Sequence, residues 1–155
     1  MCRKLVPSFC LAVTLAACGS INQHQKLEQP TNAELRTYIG GTILKITETE
    51  DLPNAFGRKD VWGGKRPTGS TELKYLGLAE SGKIKLRVIS TDITTNENWR
   101  RRLRREGYAT STSDAVDFEQ DSQEAFMMNE YSVEFVEAQA STLRFRITKP
   151  GEGGA

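Results

Sequence analysis

The stretch Lys83–Ile93 constrains the fold more than any other. It reads KIKLRVISTDI, with Ile84, Leu86 and Val88 at alternate positions and Lys83, Lys85 and Arg87 between them. Successive side chains of a strand point to opposite faces, so this pattern predicts a strand with one face buried and one in water. Just upstream, residues 71–78 (TELKYLGL) set Leu73, Tyr75 and Gly77 against Lys74, Leu76 and Leu78. Glu80, Ser81 and Gly82 separate the two runs, with the glycine placed for positive φ, and the pair reads as a β-hairpin. The C-terminal region repeats the pattern. Residues 130–137 place Tyr131, Val133 and Phe135 on one face, and residues 142–148 place Leu143, Phe145 and Ile147 opposite Arg144 and Arg146. Glu137 to Ser141 joins them as a second hairpin.

One more strand is predicted around 41–48, where Ile43, Leu44 and Ile46 sit among β-branched neighbours. Five strands with few helical signals predict a mainly β fold: a small five-stranded barrel or a two-layer sandwich built from hairpins. Its aromatic core would be Tyr75, Tyr131, Phe135 and Phe145. A length of 155 residues suits one domain. Residues 35–149 are assigned to that domain, with a long loop at 49–70 and an irregular charged insert at 94–128 that holds one short helix. Pro150 stops the last strand, and 150–155 reads as a disordered tail.

The N-terminus reads as an address. Arg3 and Lys4 precede an apolar run from Leu5 to Ala17. The run is shorter than the roughly 20 residues a bilayer-spanning helix needs, and has the length of a secretory h-region. It ends in Leu15-Ala16-Ala17-Cys18, which resembles the lipobox of bacterial lipoprotein precursors. That resemblance implies cleavage after residue 17, removing signal peptide 1–17, and acylation of Cys18, including palmitate. Gly19 and Ser20 follow rather than the Asp that resembles an inner-membrane retention signal. The implied location is the outer membrane, facing the periplasm, with the lipid as the membrane contact. Cys2 and Cys10 would leave with the peptide, so the mature chain would hold no free thiol. Residues 18–34 then read as a lipidated N-terminus and flexible tether, rich in Gln and Asn, with His24 as a solvated linker residue.

With His24 assigned to the tether, the folded part would have no Cys and no His. That excludes a Ser-His-Asp triad, a Cys-His pair and a His- or Cys-ligated zinc site. No cofactor motif is present: around Gly64-Lys65 the first glycine of a phosphate loop would fall on Lys59, and residue 66 is Arg. Asp117-x-Glu119-x-Asp121 alternates oxygen ligands, but Ser122 and Met128 stand where an EF-hand needs Gly and Glu.

Two segments carry the candidate binding residues. The loop holds Phe56, Arg58, Trp62, Lys65 and Arg66, aromatics beside glycines and cations. This suits an edge that stacks on a sugar, lipid or peptide and holds an anion; the plainer reading is a plug for the open end of a barrel. The insert holds Arg100, Arg101, Arg102, Arg104 and Arg105. A helical turn would place Trp99 and Leu103 on one face, with Gly107 ending it, and could lie on a membrane surface. The plainer reading pairs these arginines with Asp114, Asp117, Glu119, Asp121 and Glu124. In an exported protein, such a cluster points to anionic envelope components or an envelope protein, and not to nucleic acid. Asp51–Arg58, Thr71–Tyr75 and Asp92–Glu97 also resemble stretches of small predicted bacterial lipoproteins without an assigned activity. That resemblance stops at the insert and transfers no function. The expectation is a non-catalytic, lipid-anchored binding or assembly module. The alternatives are an accessory subunit of an envelope complex and a small carboxylate-dependent glycan-active enzyme.

Overall fold

The computed structural model describes residues 20–54, 56–59 and 63–149, with only the backbone of Trp99. The expected signal segment 1–17, Cys18, Trp62 and the tail 150–155 lie outside the described residues. The elements run β1 (Gln23–Leu27), β2 (Glu34–Tyr38), β3 (Thr42–Asp51), β4 (Lys65–Leu78), β5 (Ile84–Thr95), α1 (Trp99–Arg104), β6 (Ala109–Gln120), β7 (Phe126–Met128), β8 (Tyr131–Ala138) and β9 (Thr142–Thr148). One sheet has five strands in the order β1-β3-β4-β5-β6, the other four in the order β2-β9-β8-β7. All pairings are antiparallel. The fold is mainly β, as the alternation predicts. It is sandwich-like rather than a closed barrel, and the described residues hold nine strands rather than five.

The two predicted hairpins are β4–β5 and β8–β9. Their alternation builds the core: Ile43, Leu44, Ile46, Leu73, Tyr75, Ile84 and Leu86 from the longer sheet face Met128, Tyr131, Val133, Leu143, Phe145 and Ile147 from the shorter one. Phe135 packs against this cluster partly buried. Every core residue of the longer sheet lies in the half toward Leu78 and Ile84. The other half, residues 47–51, 65–71, 89–95 and 109–116, contributes none and is written largely in Thr, Ser, Glu, Asp and Arg.

Tyr75 ties the sheets together. Its ring is fully buried and its hydroxyl donates to the Gln139 carbonyl in the β8–β9 turn. Its backbone N–H donates to the Gly41 carbonyl, and its own carbonyl accepts from Gly40, so the β2–β3 turn docks on the same residue. Pro67 has no N–H to give and sits in an inner strand. It is tolerated because the ladder slips there: Glu48 opposes Gly69, and Thr49 opposes Pro67. Gly69 is required at this slip, since a Cβ would lie 2.8 Å from the Thr91 carbonyl oxygen.

Three boundaries depart from the sequence reading. The expected tether contains β1, which pairs with β3 from Gln23 opposite Glu50 to Leu27 opposite Ile46. QHQKL has a single apolar residue, so an edge strand held by backbone bonds left no periodic trace. The expected loop 49–70 shortens, because β3 runs through Asp51 and β4 begins at Lys65. The expected irregular insert contains β6, paired with β5 along twelve residues from Thr95–Ala109 to Ile84–Gln120. Residues 109–117 of β6 are all exposed, so no buried face marks the strand in the sequence. The short helix is present as α1.

Replacing Tyr75 by Phe keeps the ring and removes this bond, leaving the Gln139 carbonyl with only the long bond from the Thr142 N–H at 3.3 Å. The expected loss is about 0.5–1.5 kcal/mol of unfolding free energy, read by urea denaturation of wild type and Tyr75→Phe. An unchanged midpoint would show that the hydroxyl does not join the sheets.

Candidate functional site

The core-free end of the longer sheet gathers the sequence-predicted binding segments. Gln23 opposes Glu50, Glu50 opposes Arg66, and Thr95 opposes Ala109; the Arg66 guanidinium reaches the Thr95 carbonyl at 3.5 Å. This end therefore holds the start of β1, the 52–64 connection, the start of β4, and α1. Over residues 50–66 and 97–106 the chain carries nine Lys and Arg against five Asp and Glu. The opposite end, residues 80–85 and 117–124, carries two Lys against five Asp and Glu. These two ends of the longer sheet therefore carry opposite net charge.

The turn at 53–59 is fixed by its own residues. Pro53 bridges Lys59. The Asn54 side-chain oxygen accepts from the N–H of Phe56 at 2.8 Å and of Arg58 at 3.1 Å. Gly57, at φ +72°, supplies the left-handed residue. The turn projects Phe56 outward, 85% exposed. Phe56 therefore does not plug the end of the fold, which corrects the plainer reading for this residue. Leu52 does turn inward, buried against Gly64, where a Cβ would meet it at 3.1 Å.

Helix α1 starts at Asn98, whose side chain accepts from the Arg101 N–H at 3.0 Å. It ends at Arg105 in the left-handed region, not at Gly107. Arg101, Arg102 and Arg104 sit in its last turn, where the partial negative charge of the helix end favours cations. Two candidate cations act as struts. Arg102 grips Glu97 with two bonds of 2.8 and 3.0 Å and donates to the Lys65 carbonyl at 2.8 Å. Arg66 donates to Glu50 at 2.6 Å and to the Glu97 carbonyl at 2.8 Å. Glu97 is held below the usual carboxylate range, chiefly by Arg102. Arg101 donates to the Asn96 carbonyl at 3.0 Å. Arg58, Lys65, Arg100, Arg104 and Arg105 present exposed side chains around them. Asn98, Arg100, Arg101, Arg104 and Glu106 line a shallow cleft of about 230 Å³.

Two of the acids expected to pair with these arginines have other partners. Asp117 takes Arg87 in two bonds of 2.5 and 2.7 Å, and Glu119 accepts from Ser81. Both lie along β6 toward the acidic end, because the strand carries its acids away from the helix. Among the described residues, no group of three or more His, Cys, Asp or Glu gathers to hold a metal.

The sequence reading missed Asp51. Its side chain is only 3% exposed and accepts from three donors: the Asn22 N–H at 3.1 Å, His24 Nε2 at 2.9 Å and Lys59 Nζ at 3.2 Å. Its own N–H donates to the Asn22 carbonyl at 3.0 Å. These bonds hold its pKa down at about 2, with His24 the largest cause. His24 thus belongs to the folded part, so the sequence-based exclusion of a histidine-dependent site lapses. Among the described residues, no Ser, Thr or Cys side chain is hydrogen-bonded to His24; the imidazole bonds to Asp51. The pair works as a latch that holds β1, and the chain leading into it, to the cationic end. Its partners are 27 and 8 positions away in sequence, and no spacing rule links them.

Comparison with protein-family models, with curated proteins and with solved structures returned no match.

The latch has a pH window. The folded carboxyl titrates at about 2 against an ordinary 3.8, so its contribution is present in full above about pH 4 and is lost as pH falls toward 2. Urea midpoints measured from pH 5 to 2 should fall across that window, and the part due to Asp51 should vanish in Asp51→Asn. Amide exchange at residues 22–27 should accelerate in the same variant at pH 7. Unchanged protection there would contradict the latch.

Proposed function

We propose that this protein is a lipid-anchored envelope protein that acts by binding or assembly rather than by catalysis. Its cationic end is the surface that meets an anionic envelope component or an envelope partner. The observation that supports this most is a coincidence of position. The chain enters the fold at Asn22, on the end that also carries the outward Phe56 turn and the arginine helix. Asn22 is four residues from Cys18, the residue of the lipobox resemblance. Four residues reach at most about 14 Å, so a lipid on Cys18 would bring this end, and not the acidic one, to the membrane.

A second reading rests on β6. It is an edge strand of twelve residues whose first nine are exposed. Such an edge offers unpaired backbone groups to a strand from another chain, which would make the protein an accessory subunit of an envelope complex. Asp114, Asp117 and Glu119 along it would favour a partner strand carrying Lys or Arg.

The anchoring part is tested by Cys18→Ala. Wild-type protein expressed in a bacterial host should carry acyl chains by mass spectrometry and resist extraction by salt and alkali. The variant should lose the acyl mass and keep residues 1–17. Two or more acyl chains give stable anchoring where one is marginal. An unacylated wild type with a cleaved N-terminus would reject the lipid anchor.

A further inference from the structure

The cationic end carries more than charge. Three of the large exposed apolar side chains are on it: Phe56 at 85%, Leu103 at 74% and Tyr108 at 62% exposure. Phe56 projects from the turn at 53–59, Leu103 from α1, and Tyr108 from the segment joining α1 to β6. The exposed cations of the same segments are Arg58, Lys65, Arg100, Arg104 and Arg105. Cations at headgroup level with aromatic and leucine side chains between them is the composition of a surface that sits in a lipid interface. A small-molecule site would need a concave, mostly apolar pocket, and the cleft at α1 is shallow and lined by Asn98, Arg100, Arg101, Arg104 and Glu106.

We propose that this end docks on the anionic phospholipid headgroups of the same bilayer that holds the acyl chains. Docking fixes the orientation of the domain instead of leaving it to swing. The proposal rests on the lipid-anchored reading above and names the partner of its surface. Three observations carry it: the excess of cations at this end, the apolar side chains exposed among them, and the four-residue distance from Cys18 to the latched Asn22. The acidic residues at 80–85 and 117–124 add to the preference, since an anionic surface repels that end. The core half of the sandwich then stands away from the bilayer. From Arg66 to Leu73 is seven residues of strand, or roughly 23 Å.

The test uses the acylated mature protein, purified from membranes and reconstituted into vesicles. Once Cys18 is a thioether the mature chain has no other cysteine, so one reporter can be introduced. Thr110→Cys puts a fluorophore beside the cationic end and Glu80→Cys puts it at the acidic end; neither residue belongs to the docking surface. The readout is quenching by headgroup nitroxide lipids, in phosphatidylglycerol and in phosphatidylcholine vesicles. On the anionic vesicles the Thr110 label should quench several-fold more than the Glu80 label. The difference should shrink on phosphatidylcholine and at about 0.5 M salt, where screening shortens to a few ångströms. Substituting Arg100, Arg104 and Arg105 by Gln should weaken the contact about 100-fold while the protein still floats with the vesicles. Equal quenching of the two labels on anionic vesicles, with the protein bound, would overturn the docking and leave the anchor standing. Wild-type protein that does not float with either vesicle would overturn the anchored reading and the docking with it. Full contact retained by the triple variant would show that the arginines do not make it.

Discussion

The two sheets differ in length, and the rest of the structure follows from that mismatch. The longer sheet has strands of up to fourteen residues, and the shorter one has strands of three to eight. A sheet face left uncovered must be soluble. The half of the longer sheet that adds nothing to the core is therefore polar, and its ladders rest on backbone bonds and ion pairs such as Arg66–Glu50. An end stabilised in that way is free to carry unusual residues. The turn at 53–59, the arginine helix and the buried Asp51 all occur there, while the packed half is built from alternating Leu, Ile, Tyr and Phe.

Charge at this end is organised in two tiers. Arg66, Arg102 and Lys59 are bound to Glu50, Glu97 and Asp51, and they hold the loops in place. Partly exposed ion pairs of this kind are individually weak, but here each joins different elements, so the loss of one would loosen a connection and not only a contact. Arg58, Lys65, Arg100, Arg104 and Arg105, all exposed, form the outer tier and set the field that an approaching anion would meet. Asp51 connects the two tiers to the N-terminus. Because Asn22 and His24 both donate to it, the position at which the chain enters the fold is fixed by the same carboxylate that receives Lys59.

The sequence made the packed half of the fold legible. Ile84, Leu86 and Val88 alternate with cations, and so do Leu143, Phe145 and Ile147; period two with one buried face has no other simple meaning. β1 and β6 were illegible for the converse reason. Both are edge strands, and β6 shows water on both faces from Ala109 to Asp117, so nothing in their order of residues tells a strand from a loop. The candidate binding segments were visible as compositions, an aromatic–glycine–cation loop and an arginine run. That the two share one end depends on the β3–β4 and β5–β6 pairings, which composition does not encode. The latch was invisible because His24, Asp51 and Lys59 meet only after three segments fold together.

The orientation of the domain on the membrane is the claim that joins the fold to a role. Neutron reflectometry of the acylated protein on a supported anionic bilayer measures it directly, as the profile of protein density along the membrane normal. Thin density should begin at the headgroups, with the thick part of the profile, the two-sheet core, centred more than roughly 20 Å above them. A profile with its thickest part against the headgroups would contradict the account.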